Sequence, residues 1–375
     1  MKLVFLSHDS NLNGGAQKCL VDLFKGLKHQ YPCCEIYVIF PGEGDLIDVC
    51  MPYIDGYKVL SMPWWLLDNN REVPFRKKIS FISKAIKRAV KIRSYLRLIK
   101  PDYAVTNTIV LPYLALSCKM MSIKHIWFIH EIPATWDDRK FIFSVETVYR
   151  WINYFSLKVL VPSDFAKSFY EKVITTNKIS VINQAVDISV KCSSGQIAHD
   201  RYTILLVGTF DSNKGQLELL QAIKKIRDSD RDICCYLVGS DAGFLSNCNN
   251  FIISNSLENN VTIVPFTNYI QSYYLLSDVL VVCSSFETFG RVSVEAQKYG
   301  LPVILSNVGA NPERVEDGVN GLLYKKGDID DLVHKIELLR DICRRNEFVK
   351  RTKQMDLNKY SVVSFASQFY NLLKL

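Results

Sequence analysis

No stretch of this 375-residue sequence approaches the ~18 uninterrupted apolar residues that a membrane-spanning helix needs; the nearest run, Ile109–Leu116, stops at Ser117 and Lys119. Met1–Ser10 carries one lysine and an apolar run only from Leu3 to Leu6, too short for a secretory h-region, so neither secretion nor membrane crossing is expected. Cys-x-x-Cys is missing, and eleven cysteines are an odd number, which argues against zinc and against a disulfide framework. The adjacent pairs Cys33/Cys34 and Cys234/Cys235 lie in apolar, strand-like runs, so the thiols read as buried and reduced, as in a cytosolic protein. There is no low-complexity tract, no repeat, no P-loop and no Gly-x-Gly-x-x-Gly, which removes the two commonest nucleotide fingerprints. Acid is nearly absent from one segment: Arg71–Lys100 holds eleven Lys/Arg against Glu72 alone, a local +10 in a chain whose net charge is +8.

What is present is the pattern of a large folded protein. Hydrophobic residues at 48% and charged residues at 22% exclude disorder and collagen-like structure, and the length predicts two domains. Short β-branched and aromatic runs at Leu3–Ser7, Glu35–Phe40, Tyr103–Asn107, His125–Ile129 and Val159–Val161 alternate with helical patterns. The series resumes at Thr203–Val207, Cys234–Val238, Val261–Val264, Val279–Cys283 and Val303–Leu305. Strand and helix in alternation predict parallel sheets, hence two doubly wound, Rossmann-like α/β domains facing across a cleft. The polar stretch Asp187–Asp200 is the linker, dividing residues 1–186 from 187–359. Residues 360–375, with Val362, Phe365, Phe369 and Leu372 at helical spacing, form a last helix that needs a surface to cover and packs back toward the first domain.

In such sheets ligands bind beyond the carboxyl ends of the strands, so the loops after the strands carry the candidates. Gly14-Gly15 opens a helix after the first strand, where backbone can approach a ligand and N–H groups point at an anion. After Thr203–Val207 comes Gly208-Thr209-Phe210-Asp211-Ser212-Asn213-Lys214-Gly215, with Lys214 placed to neutralise a diphosphate. After Val279–Cys283 comes Ser284–Ala296, in which Glu287 and Glu295 flank Thr288, Phe289, Gly290 and Arg291. Carboxylates accept paired hydrogen bonds from vicinal hydroxyls, and Gly290 at a helix start exposes N–H groups to phosphate oxygens. Diphosphate at the amides and sugars at the glutamates describe a nucleotide-sugar site. Asp228-Ser229-Asp230, Asp230-Arg231-Asp232 and Asp328-Ile329-Asp330 resemble a metal-binding Asp-x-Asp, but they flank helices rather than follow strands and read as turns and caps.

At this block the sequence resembles the retaining glycosyltransferases of family 4, with the GT-B fold. The resemblance is carried by Gly14-Gly15, His130-Glu131, Val161-Pro162-Ser163, Val181-Ile182-Asn183 with Asp187, Val207-Gly208 with Lys214-Gly215, Glu287–Pro302, and Glu313 with Asp317–Gly321. It implies that Glu295 holds the donor ribose and Glu287 the transferred sugar. Lys214, with the amides around Phe289–Arg291, would hold the diphosphate, and His130 would lie near sugar and acceptor. It implies a UDP- or GDP-linked sugar as substrate, no metal or other cofactor, and a glycan or lipid-linked acceptor in bacterial surface polysaccharide assembly. The pattern departs from the family at Thr209, where an arginine usually shares the diphosphate, and at Ala185 and Thr267, where glycines are usual. Arg291 is the candidate replacement cation. A nucleotide-sugar epimerase of the same fold and a non-catalytic nucleotide-sugar-binding subunit are the alternatives.

The basic segment has its own periodicity: Phe75, Ile79, Ile82, Ile86, Ala89/Val90, Leu96 and Ile99 recur every three or four residues with cations between them. A cationic amphipathic helix over Arg76–Lys100, preceded by Trp64-Trp65, predicts reversible attachment of residues 62–100 to an anionic membrane surface, and the resemblance implies that this is the inner face of the cytoplasmic membrane. No nucleic-acid motif accompanies it, so nucleic acid is not an expected partner.

Overall fold

The computed structural model describes residues 1–12, 14–67, 73–133, 139–188, 201–229, 232–267 and 269–374. Asn13, Arg71–Glu72, most of the Asp187–Asp200 linker and Asp230–Arg231 lie outside the described residues. The chain forms two compact units, Met1–Asp187 with Asn358–Leu375, and Ile188–Leu357. Among the described residues no helix is long and apolar enough to cross a membrane.

The first unit runs β1 (Lys2–Leu6), α1 (Gly15–Gln30), β2 (Glu35–Phe40), α2 (Asp45–Cys50), β3 (Gly56–Val59), β4 (Leu66–Leu67), α3 (Phe75–Ile99), β5 (Tyr103–Thr106) and α4 (Tyr113–Lys119). It continues through β6 (Lys124–Phe128), β7 (Lys140–Phe141), α5 (Val145–Phe155), β8 (Lys158–Val161), α6 (Asp164–Tyr170) and β9 (Ile179–Val181). Seven of these strands make one sheet in the order β3-β2-β1-β5-β6-β8-β9, parallel at every pairing. Leu3, Val4, Phe5 and Leu6 are fully buried, as a strand covered on both faces requires.

The second unit runs β10 (Thr203–Val207), α7 (Gln216–Asp228), β11 (Cys234–Gly239), α8 (Leu245–Ser254), β12 (Val261–Pro265), α9 (Ile270–Leu275) and β13 (Val279–Val282). It ends with α10 (Arg291–Lys298), β14 (Val303–Ser306), β15 (Leu322–Tyr324), α11 (Ile329–Arg340) and α12 (Ile342–Lys353). Its sheet has the order β12-β11-β10-β13-β14-β15 and is again parallel throughout. Both sheets are doubly wound, and each reverses its strand order once, between β1 and β5 and between β10 and β13. The last helix, α13 (Val362–Lys374), belongs to the first unit. It meets α1 where Gly26 allows contact: a Cβ there would fall 2.1 Å from the Val362 carbonyl oxygen.

Three sequence expectations change. Cys33 sits in the turn before β2 and is exposed, as is Cys343, so the described thiols are not all buried. Trp65 is fully buried, donating from Nε1 to the Ile109 carbonyl at 2.9 Å and stacking beside Trp127, so it is core and unavailable to a membrane. Helix α3 buries Phe81, Ala85, Ala89, Ile92, Leu96 and Ile99, whereas Phe75, Ile79, Ile82, Ile86 and Val90 stand exposed. The periodicity mixed two faces: of its residues Ala89, Leu96 and Ile99 are buried, and the bulky ones before them are not. The sheet side instead takes the stripe with Ala85 and Ala89, whose small side chains let α4 approach, Ser117 Oγ donating to the Ala89 carbonyl at 3.0 Å.

His125 on β6 is buried beside Thr106, with Nε2 and Oγ1 2.8 Å apart. Burial pushes its imidazole down to about 3. The unfolded chain, with a His near 6.5, then binds the extra proton first, so stability is full above about pH 6.5 and falls as pH drops toward 3. Urea unfolding at pH 7 and pH 5 should show wild type losing about 2 kcal/mol more than His125→Gln over that interval. Equal losses would show that His125 does not carry this dependence.

Candidate active site

In the second unit the reversal of strand order sets two loops side by side, because β10 pairs directly with β13, Leu205 opposite Leu280. The loop after β10 is shaped by Asp211, whose carboxylate accepts from the Asn213 and Lys214 amides at 2.8 and 3.2 Å. That turn ends at Gly215, with φ +68°, before α7 begins. Lys214 is thereby aimed at the loop after β13, where its Nζ donates to Glu287 Oε1 at 2.6 Å. Ser284 Oγ donates to the same oxygen at 2.8 Å. The loops are also stitched by backbone, Ser285 N donating to the Asn213 carbonyl at 2.7 Å. Burial disfavours the Lys214 ammonium, but the charge and hydrogen bond of Glu287, with Asp211, outweigh it and hold the group above the ordinary lysine range. Lys214 is therefore a permanent cation beside a largely buried carboxylate.

Glu287 is held from behind as well. Ala310 N donates to its carbonyl at 2.9 Å, and Gly309, with φ +60°, lies so close that a Cβ would fall 2.4 Å from that carbonyl oxygen. Thr288 and the buried Phe289 follow, then Gly290 in the left-handed region at φ +83° as the N-cap of α10. The Phe289 ring lies beneath the buried Arg314 guanidinium, 4.7 Å from its centroid, so this residue offers the site its backbone and not its ring. Arg291 and Glu295 are one turn apart on α10, where i and i+4 share a face. Glu295 Oε2 accepts from the Tyr274 hydroxyl at 2.8 Å. Burial, then the Glu295 charge and hydrogen bond, drive the Tyr274 phenol well above its ordinary value, while Arg291 draws it down.

The first unit collects its candidates at the carboxyl ends of β1, β5 and β6. Gly14 is the N-cap of α1, which begins at Gly15, and a Cβ on Gly14 would fall 2.5 Å from Gln17 Oε1. His130 is buried after β6, between two amides. Asn107 Nδ2 donates to the Ala16 carbonyl at 3.2 Å, which turns its Oδ1 toward His130 Nε2 at 2.9 Å; Gln184 Nε2 stands 2.9 Å from His130 Nδ1. Both ring nitrogens are therefore engaged by side-chain amides, which fix the plane of the imidazole. Glu131 accepts from Thr108 Oγ1 at 2.7 Å and from the Ile109 and His130 amides, so it braces this loop.

The structure brings Gly208, Lys214, Glu287, Thr288, Gly290, Arg291 and Glu295 to one end of one sheet, and Gly14, Gly15 and His130 to the corresponding end of the other. Sequence reasoning did not find Ser284, Tyr274, Gly309 or Arg314. Ser284 opens the Ser284–Ala296 block but was given no role there; Tyr274 lies on α9, a different element, with nothing in its local pattern to mark it. Of the Asp-rich segments, Asp328 caps α11, accepting from the Asp331 amide at 3.1 Å, whereas Asp228, the last residue of α7, pairs with Lys224 and Arg227. Among the described residues no group of three or more His, Cys, Asp or Glu side chains converges as metal ligands would.

Residues 191–355, which span most of the second unit, match the family model described as glycosyl transferases group 1. The chain is 26% identical over 235 residues to a lipopolysaccharide 1,2-N-acetylglucosaminetransferase of Salmonella typhimurium, covering 58% of this chain and 62% of the relative. It is 25% identical over 248 residues to the UDP-Gal:alpha-D-GlcNAc-diphosphoundecaprenol alpha-1,3-galactosyltransferase of Escherichia coli, covering 61% and 64%. The chain spans less than two thirds of the length of these curated relatives. Among solved structures, Anabaena HepE in complex with UDP and glucose superposes with a TM-score of 0.79 at 20% identity, covering 100% of this chain and 99% of that one. The fold is that of the GT-B glycosyltransferases.

Proposed function

We propose that this chain is a retaining glycosyltransferase that moves a sugar from a UDP- or GDP-linked donor to a hydroxyl of a glycan or lipid-linked acceptor, in the assembly of a surface polysaccharide. The observation that carries the reading is the Lys214–Glu287 pair, 2.6 Å apart at the ends of adjoining strands, with Glu295 on the helix that Gly290 starts. In this reading Lys214, the amides at Gly290 and Arg291, and the Arg291 side chain take the diphosphate, stabilising charge that develops on the leaving phosphate. Glu287 spends one oxygen on Lys214 and Ser284 and keeps the other for sugar hydroxyls. Glu295 takes the ribose, and His130, whose ring nitrogens are engaged by Asn107 and Gln184, is assigned to the acceptor side within the first unit. No metal is invoked, since cationic and amide groups meet the diphosphate. Residues 62–100, through Trp64 and α3, hold the protein at the inner face of the membrane.

Support comes from the glycosyltransferase domain match and from relatives named for lipopolysaccharide and diphosphoundecaprenol-linked chemistry. The test is a thermal-shift series with UDP, GDP and ADP, followed by assay of nucleoside diphosphate release from the matching nucleotide-sugar. One nucleotide should raise the melting temperature, by about 2.7 kcal/mol of linkage at a hundredfold excess over its dissociation constant, and release should require an acceptor. Interconversion of the nucleotide-sugar without release would make the protein an epimerase instead.

A further inference from the structure

The cations of α3 are not spread evenly. Between α3 and the segment that follows β3 lies a groove of about 320 Å³, with Met62 and Ile92 in its lining and Lys84, Lys87, Arg88 and Lys91 around it. The spacing i, i+3, i+4, i+7 puts all four cations on one face of the helix. Arg88 is fixed there, its Nε donating to the Ser61 carbonyl at 3.1 Å. Lys84, Lys87 and Lys91 have no carboxylate partner among the described residues, and Phe75–Ile99 contains nine Lys/Arg and no Asp or Glu. Lys84 with Arg88, and Lys87 with Lys91, are like-charged i,i+4 pairs, which destabilise a helix unless an anion sits between them. The walls of the groove are mainly apolar, from Leu60, Met62, Ile92 and the lysine stems, so the exposed ammonium ends stand at its rim, and an anion is held there.

The groove's place in the fold matters equally. Leu60, Ser61 and Met62 follow the carboxyl end of β3, the end of the sheet where ligands bind. The same segment is tied to the loop after β1 by Trp64, whose Nε1 donates to the His8 carbonyl at 3.2 Å. We propose that this groove is a second anion site, separate from the Lys214 site of the other unit, and that it takes a phosphomonoester or diphosphate group. Lysines fit phosphate as mobile point charges, and Arg88 adds a planar guanidinium anchored through Nε to Ser61 and through Nη1 to the Lys84 carbonyl at 3.4 Å, with Nη2 left to face a ligand. The bulky exposed stripe Phe75, Ile79, Ile82, Ile86 and Val90 lies on another face of α3, so hydrophobic adhesion and phosphate capture are separable by mutation.

The test is calorimetric titration of pyrophosphate into the full chain, as wild type and as Lys84→Gln/Lys91→Gln, Arg76→Gln/Lys77→Gln and Lys214→Gln. The groove variant should lose one binding event, weakened tenfold or more, which both Arg76→Gln/Lys77→Gln and Lys214→Gln retain. Every substituted cation of α3 is exposed, so folding is preserved and checked by an unchanged melting temperature. Unchanged binding in Lys84→Gln/Lys91→Gln, or loss confined to Lys214→Gln, overturns the groove while leaving the donor reading intact. Equal loss in both α3 variants, or preferential binding of polyuridylate over pyrophosphate, also overturns it, in favour of diffuse polyanion attraction. Flotation on phosphatidate vesicles then identifies the source. Loss of flotation in the groove variant, with competition by pyrophosphate, supports a lipid headgroup; flotation lost only in Ile79→Ser/Ile86→Ser, with pyrophosphate binding intact, supports a soluble phosphate ester.

Discussion

Glu287→Gln should lower the rate of sugar transfer by roughly 10²- to 10³-fold while leaving nucleoside diphosphate affinity unchanged or slightly improved. The two effects separate because of what Glu287 touches. Its carboxylate neutralises Lys214 at 2.6 Å and accepts from Ser284, so it competes with a diphosphate for the lysine. Removing its charge frees that cation for the ligand but takes away the acceptor aimed at the transferred sugar. Lys214→Ala should do the opposite to binding, and by itself it leaves Glu287 as an uncompensated, largely buried charge. The double variant Lys214→Met/Glu287→Gln removes that penalty, so the cycle separates stability from ligand binding. Calorimetry with UDP or GDP beside steady-state turnover decides the matter. Turnover near wild type in Glu287→Gln, or a fall in affinity matching the fall in rate, would remove Glu287 from its assigned role.

The second large effect is expected at Glu295. Glu295→Ala should weaken nucleoside diphosphate binding by roughly 1.5–3 kcal/mol, the range for a lost hydrogen bond to a charged group. Because the Tyr274 hydroxyl holds one oxygen of that carboxylate, Tyr274→Phe should reproduce part of the loss, about 1 kcal/mol, without touching the ligand. The pair also predicts non-additivity: once Glu295 is alanine, Tyr274→Phe should cost binding nothing further. Full additivity would show that Tyr274 acts through something other than Glu295. Retention of wild-type affinity in Glu295→Ala would move the ribose elsewhere.

Much of this was legible in the residues alone, and for a physical reason. Strands buried on both faces must be apolar throughout, so the strands at Glu35–Phe40 and Thr203–Val207 announce themselves by composition within a few residues. A carboxylate on each side of a glycine that starts a helix is a local pattern, and Glu287, Gly290 and Glu295 were readable because their chemistry lies along one stretch of chain. Short edge strands escaped: Gly56–Val59, Ile179–Val181 and Leu322–Tyr324 owe their form to a neighbour's hydrogen bonds more than to their own side chains.

Only tertiary structure decided the rest. That Lys214 meets Glu287 depends on β10 pairing on its other side with β13, not only with β11, the next strand in sequence, a choice made by the crossover and invisible to any local window. That Glu295 leans on Tyr274, and Phe289 on Arg314, joins residues from different elements. Which face of α3 is buried was settled by packing, since small Ala85 and Ala89 let a helix approach where bulkier Ile82 and Ile86 would hold it off. The same choice left the bulky stripe and the Lys84–Lys91 cations at the surface, so the sequence by itself determined that this helix is cationic and amphipathic, while close packing determined which of its faces a ligand can reach.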